Sequence, residues 1–469
     1  MQRLNRQQTL QQLPAEWPDS LLPHIQQRLA AGGRKLVVLD DDPTGTQTVY
    51  DIPVLTEWSV DVLAMELSNE LPAFYILTNS RSLPAAAAQA LNREIGQNLV
   101  AAGQLAGRAF AVVSRSDSTL RGHYPAEVDA LAAALGQDVD ATLIIPFFLE
   151  GGRLTINDVH YVAEGDELIP AAATPFAQDA AFGYTASNLR DWVVEKTNGR
   201  VQPEQIYAVS LEQIRTGGPQ SVAQQLISLP KGSVCIINSV SLRDQEVFVA
   251  GLLAAEAAGK QFIFRTAASF VQARLGLATR PILTQQQLDM PQHGGGLVVV
   301  GSYVPKTTSQ LAALLAQGDC TAVEINVAAL LDDNSRDAEL QTAAQTMANA
   351  LAANQDVVVY TSRQLITADT AADSLAIGQR VSDGLVSLVQ GLTVPPRYLL
   401  AKGGITSSDV ATKGLGVKRA LVLGQILPGV PVWRIGAESR FPGMPYIVFP
   451  GNVGDENAVA NVVKALRTA

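Results

Sequence analysis

Short apolar runs alternate with longer Ala- and Leu-rich segments along almost the whole chain, and this alternation limits the possible folds more than any other feature. A strand that is apolar at every position must be covered on both faces, and parallel sheets achieve this by returning through helices. In the first half the candidate strands are 35–40, 73–79, 109–115, 141–148, 205–210, 233–239 and 261–266. Helical segments are expected at 83–103, 124–136, 211–229 and 243–258. A polar stretch rich in Pro, Gln and Gly covers 278–296 and reads as a linker. The alternation then resumes with strands at 296–302, 322–327, 356–362, 397–404 and 446–452, separated by helices at 306–317, 335–354, 373–391 and 406–413. The expected class is α/β, with two domains, each a mainly parallel sheet flanked by helices, over 1–285 and 286–469. A chain of 469 residues has room for two or three such domains.

Charge narrows the partners. The chain carries 34 basic and 44 acidic residues, a net charge of −10, with no basic block. Nucleic acid and anionic membrane are thereby poor partners, since binding them needs a clustered positive face. A small anionic substrate remains compatible, because the field inside a cleft can oppose the net charge. Cys235 and Cys320 lie far apart and form neither a zinc pattern nor a disulfide framework. The polar first twenty residues do not read as a signal peptide, and no apolar run approaches the ~18 residues of a membrane span. The cytoplasm is the expected compartment, and a homodimer is the expectation from general frequency alone.

In open parallel sheets ligands bind beyond the C-terminal strand ends, so the polar residues there form a comparable set. In "VVLDDDPTGTQTV" (37–49) an apolar strand stops at Asp40, Asp41 and Asp42, followed by Thr44 and Gly45. Adjacent carboxylates repel unless they face solvent, bind a cation or handle a proton, and Asp42 also suits a helix N-cap. In "SRSDSTLRGHYPAEV" (114–128), Arg115, Asp117, Ser118, Thr119 and Arg121 occupy a turn that leads into a helix. With Arg81, such arginines offer the planar fork that matches a carboxylate. In the second half, "LLAKGGITSSDVATKGLG" (399–416) carries Gly403, Gly404, Ile405 and Thr406 out of a strand. Two similar turns, Gly301–Ser302 and Gly451–Asn452, could join it to frame a nucleotide, because glycines let backbone N–H groups approach phosphate closely. No P-loop or G-x-G-x-x-G pattern is present. Of the four histidines, His24, His123, His160 and His293, no pair has metal-ligand spacing, and His123 and His160 lie near the first site. No Ser–His–Asp order stands out.

Two family resemblances follow from these motifs. Asp40-x-Asp42-x-Thr44 and Thr78 at two strand ends resemble the first motifs of the haloacid dehalogenase phosphatases, with Asp40 as nucleophile and Asp42 as acid/base. That reading lacks a Lys on a third element and leaves the second half of the chain without a role. The other resemblance covers nearly the whole chain. Asp41–Gly45, Arg115–Gly122, "GGRLTINDVHYV" (151–162), Gly301–Ser302, Gly403–Thr406 and Gly451–Asn452 resemble, in order, the motifs of the four-carbon acid sugar kinase family.

This resemblance implies ATP- and Mg²⁺-dependent phosphorylation of the terminal hydroxyl of an acid such as threonate, erythronate or 3-oxo-tetronate. It places the acid in the N-terminal domain, near Thr44, Gly45, Arg81, Arg115, Asp117, Ser118, Thr119, Arg121 and His160. It places ATP in the C-terminal domain, near Ser302, Gly403, Gly404, Ile405, Thr406, Gly451 and Asn452. Asp41 or Asp42 would accept the hydroxyl proton, and the metal ligands are left unassigned. The chain departs from the family pattern at Arg115, where a Lys is usual, and at Asp40, where a small residue is usual. It also departs at "PFFLEGGR" and "VYDIPVLTEW" (49–58). A non-catalytic sugar-acid sensor is the third reading.

Overall fold

The computed structural model describes residues 2–32, 34–136, 138–363 and 371–467. The chain forms two compact units, Met1–Val49 with Glu57–Thr279, and Tyr50–Thr56 with Arg280–Ala469. The strands in chain order begin with β1 (Leu4–Asn5), β2 (Lys35–Asp40) and β3 (Ile52–Leu55). β3 lies within the seven-residue piece, Tyr50–Thr56, that joins the second unit.

The first unit continues with β4 (Ala73–Leu77), β5 (Phe110–Arg115), β6 (Ala141–Ile145), β7 (Arg153–Ile156), β8 (Val159–Glu164), β9 (Glu167–Pro170), β10 (Ile206–Val209), β11 (Ser233–Ile237) and β12 (Phe262–Thr266). Its main sheet runs β10-β11-β6-β12-β5-β2-β4 with every pairing parallel. β2, β4 and β11 are buried at every position, as strands covered on both faces must be. Asp40 is in register with Leu77 and Arg115, and Arg115 with Thr266. The C-terminal ends of β4, β2, β5 and β12 therefore share one edge.

One part of this unit departs from the alternation. The strand expected to reach residue 148 ends at Ile145, and the chain then forms an antiparallel meander with strand order β1-β9-β8-β7. Its two-residue turns are Asn157–Asp158, both with positive φ (49° and 64°), and Gly165–Asp166, with φ of 57° at Gly165. Such turns match the twist of a hairpin. Phe147, Leu154, Ile156, Tyr161 and Leu168 supply the core beneath it.

The second unit adds β13 (Leu297–Val300), β14 (Thr321–Ile325), β15 (Val357–Thr361), β16 (Leu399–Lys402), β17 (Arg419–Leu427), β18 (Val430–Ile435) and β19 (Pro445–Phe449). Its order is β3-β17-β18-β19-β16-β13-β15-β14, parallel from β19 to β14 and antiparallel from β3 to β19. β17 and β18 were not expected. β17 alternates strictly between buried and half-buried residues, the pattern of a strand with one wetter face. The polar stretch 278–296 is not a free linker, because its turn Gln285–Leu288 buries Leu288 completely in the second unit's core. The helix expected at 406–413 is a shorter helix, Gly404–Asp409, followed by a π turn, Val410–Gly414. Among the described residues no helix is long and apolar enough to cross a membrane.

Candidate functional site

At the edge of the first sheet the three consecutive acids occupy three different environments. Asp40 is 1% exposed, and its Oδ1 accepts from Arg115 Nη1 at 3.1 Å. Among the described residues its Oδ2 has no hydrogen-bond partner, and it packs on Gly45, where a Cβ would lie 1.9 Å away. Burial, opposed by Arg115, pushes this carboxyl up to about 7. Asp41 is gripped by Arg81 through Nη2 (2.6 Å) and Nε (3.2 Å), and its Oδ2 accepts from the Ser116 hydroxyl at 2.7 Å.

Asp42 caps the 3₁₀ turn Pro43–Thr46, and its Oδ1 accepts from Thr44 N at 2.8 Å. Its Oδ2 lies 3.7 Å from Arg81 Nη1. Its side chain is 18% exposed, against 4% for Asp41, so Asp42 is the acid a ligand can reach. Burial would raise its pKa, but Arg81 and the Thr44 hydrogen bonds outweigh burial and hold the group below the usual carboxylate value.

The turn after β5 extends this pattern. Asp117 accepts from Thr119 N at 3.1 Å and from Arg121 Nε at 3.0 Å, and lies 3.7 Å from Arg81. Burial opposes the charge on Asp117, but Arg121 and Arg81 hold it well below its usual range. Asp40, Arg115, Asp41, Arg81, Asp117 and Arg121 thus form a ladder of alternating sign. This ladder is what allows a buried strand to end in three acids.

Several expected contacts take a different form. Arg115 is 5% exposed, and its Nη1 pairs with Asp40 at 3.1 Å and lies 3.8 Å from Asp41, so its guanidinium is engaged by the acid cluster. The two departures from the family pattern, Asp40 and Arg115, are therefore each other's partners. Gly45 is small to make room for the Asp40 carboxyl. His160 is fully buried in β8. It donates from Nε2 to the Ser118 carbonyl at 2.8 Å and accepts at Nδ1 from the Thr155 hydroxyl at 3.0 Å. Burial lowers its pKa to about 4, against the pull of the Ser118 hydrogen bond, so it is neutral and holds the 117–121 turn from behind. Thr78 is occupied by the Asp40 carbonyl and Ser80. Sequence reading missed Glu127, a buried acid that accepts from Asn92 Nδ2 at 3.0 Å. Burial, reinforced by Asp41, raises Glu127 to about 7. Its signal was a carboxylate in the first turn of the helix after the 114–122 turn.

In the second unit the three glycine turns leave adjacent parallel strands at one level. Lys402, the last residue of β16, is in register with Val300 of β13 and Phe449 of β19. A Cβ on Gly301 would lie 2.3 Å from Thr406 Oγ1, so the Gly301–Ser302 and Gly403–Thr406 turns touch backbone to side chain. Gly403 has a φ of 113°, which L-residues with side chains rarely adopt. Thr307 Oγ1 reaches Ser302 Oγ at 3.4 Å and the Gly451 carbonyl at 3.3 Å, and Lys306 Nζ lies 3.4 Å from the Asn452 carbonyl.

Two further cations stand here: Lys402, one of the polar strand-end residues of the sequence, and Arg363, which the sequence did not single out. Lys402 is 1% exposed and donates to the carbonyls of Pro450 (2.5 Å) and Gly451 (3.2 Å). Burial, with help from Lys306, brings Lys402 down to about 7. Arg363 donates to the carbonyls of Ser302 and Thr361. Among the described residues Lys306, Arg363 and Lys402 have no carboxylate within 4.0 Å, so this edge is electropositive where Tyr303 (61%) and Ile405 (57%) stand exposed. These features suit a polyphosphate with an apolar base. No group of three or more His, Cys, Asp or Glu side chains among the described residues is arranged as a metal cage. At the first unit's edge the accessible acid with oxygen atoms suited to a hard cation is Asp42.

An α/β chain with an acid–arginine edge in one unit and a glycine-turn, cation-lined edge in the other has the parts of a two-substrate phosphotransferase. A family model described as the sugar-binding N-terminal domain matches residues 36–274, and one described as the nucleotide-binding C-terminal domain matches residues 297–459. The chain belongs to the four-carbon acid sugar kinase family. It is 24% identical over 450 residues to a D-threonate kinase of Salmonella typhimurium, covering 92% of this chain and 97% of that one. It is 27% identical over 372 residues to a 3-oxo-tetronate kinase of Methylobacterium radiotolerans, covering 78% and 82%. A D-erythronate kinase of Heliobacterium modesticaldum is 23% identical over 459 residues, covering 92% and 97%. In fold, the chain matches a solved Salmonella typhimurium LT2 structure with a TM-score of 0.67 at 18% identity, covering 92% and 98%. It matches a Haemophilus influenzae protein of a domain-of-unknown-function family with a TM-score of 0.62 at 17% identity, covering 92% and 100%.

Proposed function

We propose that the protein transfers the γ-phosphoryl group of ATP to the terminal hydroxyl of a four-carbon sugar acid of the threonate, erythronate or 3-oxo-tetronate class. The first unit holds the acid and the second the nucleotide. The observation that carries this reading is the division of labour among the acids: Asp42 alone keeps an accessible, ionised carboxylate, while Asp40 and Asp41 are spent on arginines. Asp42 accepts the hydroxyl proton as the oxygen attacks, and Arg81 and Thr44 hold its carboxylate in place. Asp41 positions Arg81. The backbone around Gly301–Ser302, Gly403–Thr406 and Gly451–Asn452 positions the phosphates, with Lys306 offsetting their charge. Magnesium bound with the nucleotide would supply charge neutralisation at the phosphoryl oxygens.

The phosphatase reading fails on Asp40. A nucleophile must reach the phosphorus, and this carboxyl is 1% exposed, paired with Arg115 and packed on Gly45. The sensor reading leaves the accessible Asp42 without a task. The deciding experiment measures ADP release from Mg-ATP against a panel of four- and five-carbon sugar acids, with p-nitrophenyl phosphate hydrolysis in parallel. Acid-dependent ADP release with at least one four-carbon acid is expected. Binding of an acid without ATP consumption would return the protein to the sensor reading. Light scattering of the same preparation checks the accompanying expectation of a homodimer.

A further inference from the structure

The arginines singled out in the sequence as carboxylate binders are already engaged. Arg81 is on Asp41, Arg115 on Asp40, and Arg121 on Asp117, with Asp179 a further 3.6 Å from Arg121. Arg153, at the start of β7, is different. Among the described residues it has no carboxylate within 4.0 Å and no side-chain hydrogen bond, and its Nε is buried without a partner. Its guanidinium lies over the Phe176 ring, 5.5 Å from the centroid, and Arg121 lies over the same ring at 5.2 Å. The nearby Arg265 is 1% exposed and, among the described residues, also has no carboxylate within 4.0 Å. Its Nη2 donates to the Arg121 carbonyl at 2.9 Å, while its Nε and Nη1 are buried and unpartnered. Arg121 and Arg153 share the Phe176 ring, while Arg265 lies over Trp192. Asp117 and Asp179 pair with Arg121, whereas Glu164 acts on Arg153 and Asp41 on Arg265 only from beyond 4.0 Å. Arg265 is sealed from solvent, whereas Arg153 is only half-buried.

We propose that Arg153 is the guanidinium that receives the carboxylate of the substrate, and that it sets the preference for acids over neutral polyols. This rests on the sugar-acid reading above and names the residue that recognises the acid. Three features support it. An arginine fork pairs both carboxylate oxygens at once. The Phe176 ring fixes the plane of that fork from one side. An incoming carboxylate also gives Arg153 the close charge partner that it lacks among the described residues. Burial, only partly offset by Asp117, lowers the pKa of Arg153, as expected for a cation awaiting an anion.

The test compares threonate and erythronate with their primary amides, which keep the shape and lose the charge. Equilibrium binding is measured by calorimetry on the wild type, Arg153→Gln and Arg153→Lys, alongside ADP release. The wild type is expected to bind an acid about 10- to 100-fold more tightly than its amide, the range of a charge-assisted hydrogen bond. Arg153→Gln should shrink that ratio to a few-fold by weakening the acid alone, with ATP affinity unchanged. Arg153→Lys should fall between, since it keeps charge and loses the fork. An undiminished acid-to-amide ratio in folded Arg153→Gln overturns the assignment. So does a wild type that binds amide as well as acid, an outcome that needs no variant to fold. Acid binding that depends on Arg153 but produces no ADP would retain this inference while removing the kinase reading.

Discussion

Asp40, Asp41 and Asp42 are neighbours in sequence, yet each is set to a different task by a partner the sequence does not place beside it. Arg115 lies 75 positions from Asp40, and Arg81 lies 40 positions from Asp41. The acids, the arginines and the glycine were all legible. Their pairing was not, because it follows from the β4-β2-β5 strand order and from the rotamers that order permits. The same is true of Arg153, which stands in the 151–162 motif but whose lack of a carboxylate within 4.0 Å among the described residues follows from the fold. Asp42→Asn keeps the cap on Thr44 and removes the proton acceptor. Turnover should fall by about 10²–10⁴-fold, the usual worth of a positioned general base. ATP binding, followed by fluorescence titration, should stay within a factor of about two. Full activity in this variant would remove Asp42 from the chemistry.

At the scale of elements, strands apolar at every position were read correctly, since burial on both faces leaves a continuous apolar run. The antiparallel strands β7–β9, β17 and β18 were missed, and of these only β17 alternates strictly between buried and half-buried residues. Their signals were the turn pairs Asn157–Asp158, Gly165–Asp166 and Pro428–Gly429, which outweigh a weak apolar pattern. Lys402 shows what one side chain does for two elements. It ends β16, and its ammonium holds the carbonyls that follow β19. Lys402→Met should free the Pro450–Gly451 turn and weaken ATP about tenfold, equivalent to ~1.4 kcal/mol, while sugar-acid affinity is unchanged. Calorimetric titration with a non-hydrolysable ATP analogue measures this. An unaltered ATP affinity would make Lys402 a purely internal strut.

For the whole molecule, the buried carboxyl of Asp40 couples folding to pH. Its folded value of about 7 lies above the ordinary 3.8, so the native state keeps a proton that the unfolded chain releases. This contribution to stability is complete below about pH 4 and is lost as pH rises through 7. Asp40→Asn carries the neutral form at every pH. The difference in unfolding free energy, wild type minus variant, should therefore decline between pH 5 and 7 and level off above. Urea denaturation at pH 5, 6, 7 and 8 checks it, and a flat difference would mean that Asp40 is ionised in the folded protein throughout.

By itself the sequence determined the α/β class and the placement of two polar edges, because doubly apolar strands and glycine turns are local chemistry, readable within a few residues. Tertiary structure alone decided three things. It sent Tyr50–Thr56 to the second unit, through β3's pairing with β17. It turned His160 away from the edge to hold the Ser118 carbonyl. And it left Arg153 and Arg265, among the described residues, without a carboxylate within 4.0 Å. Each depends on strand order and register between segments far apart in the chain, and the energy of a charge pair depends on where its partner ends up and on how much water is excluded around it.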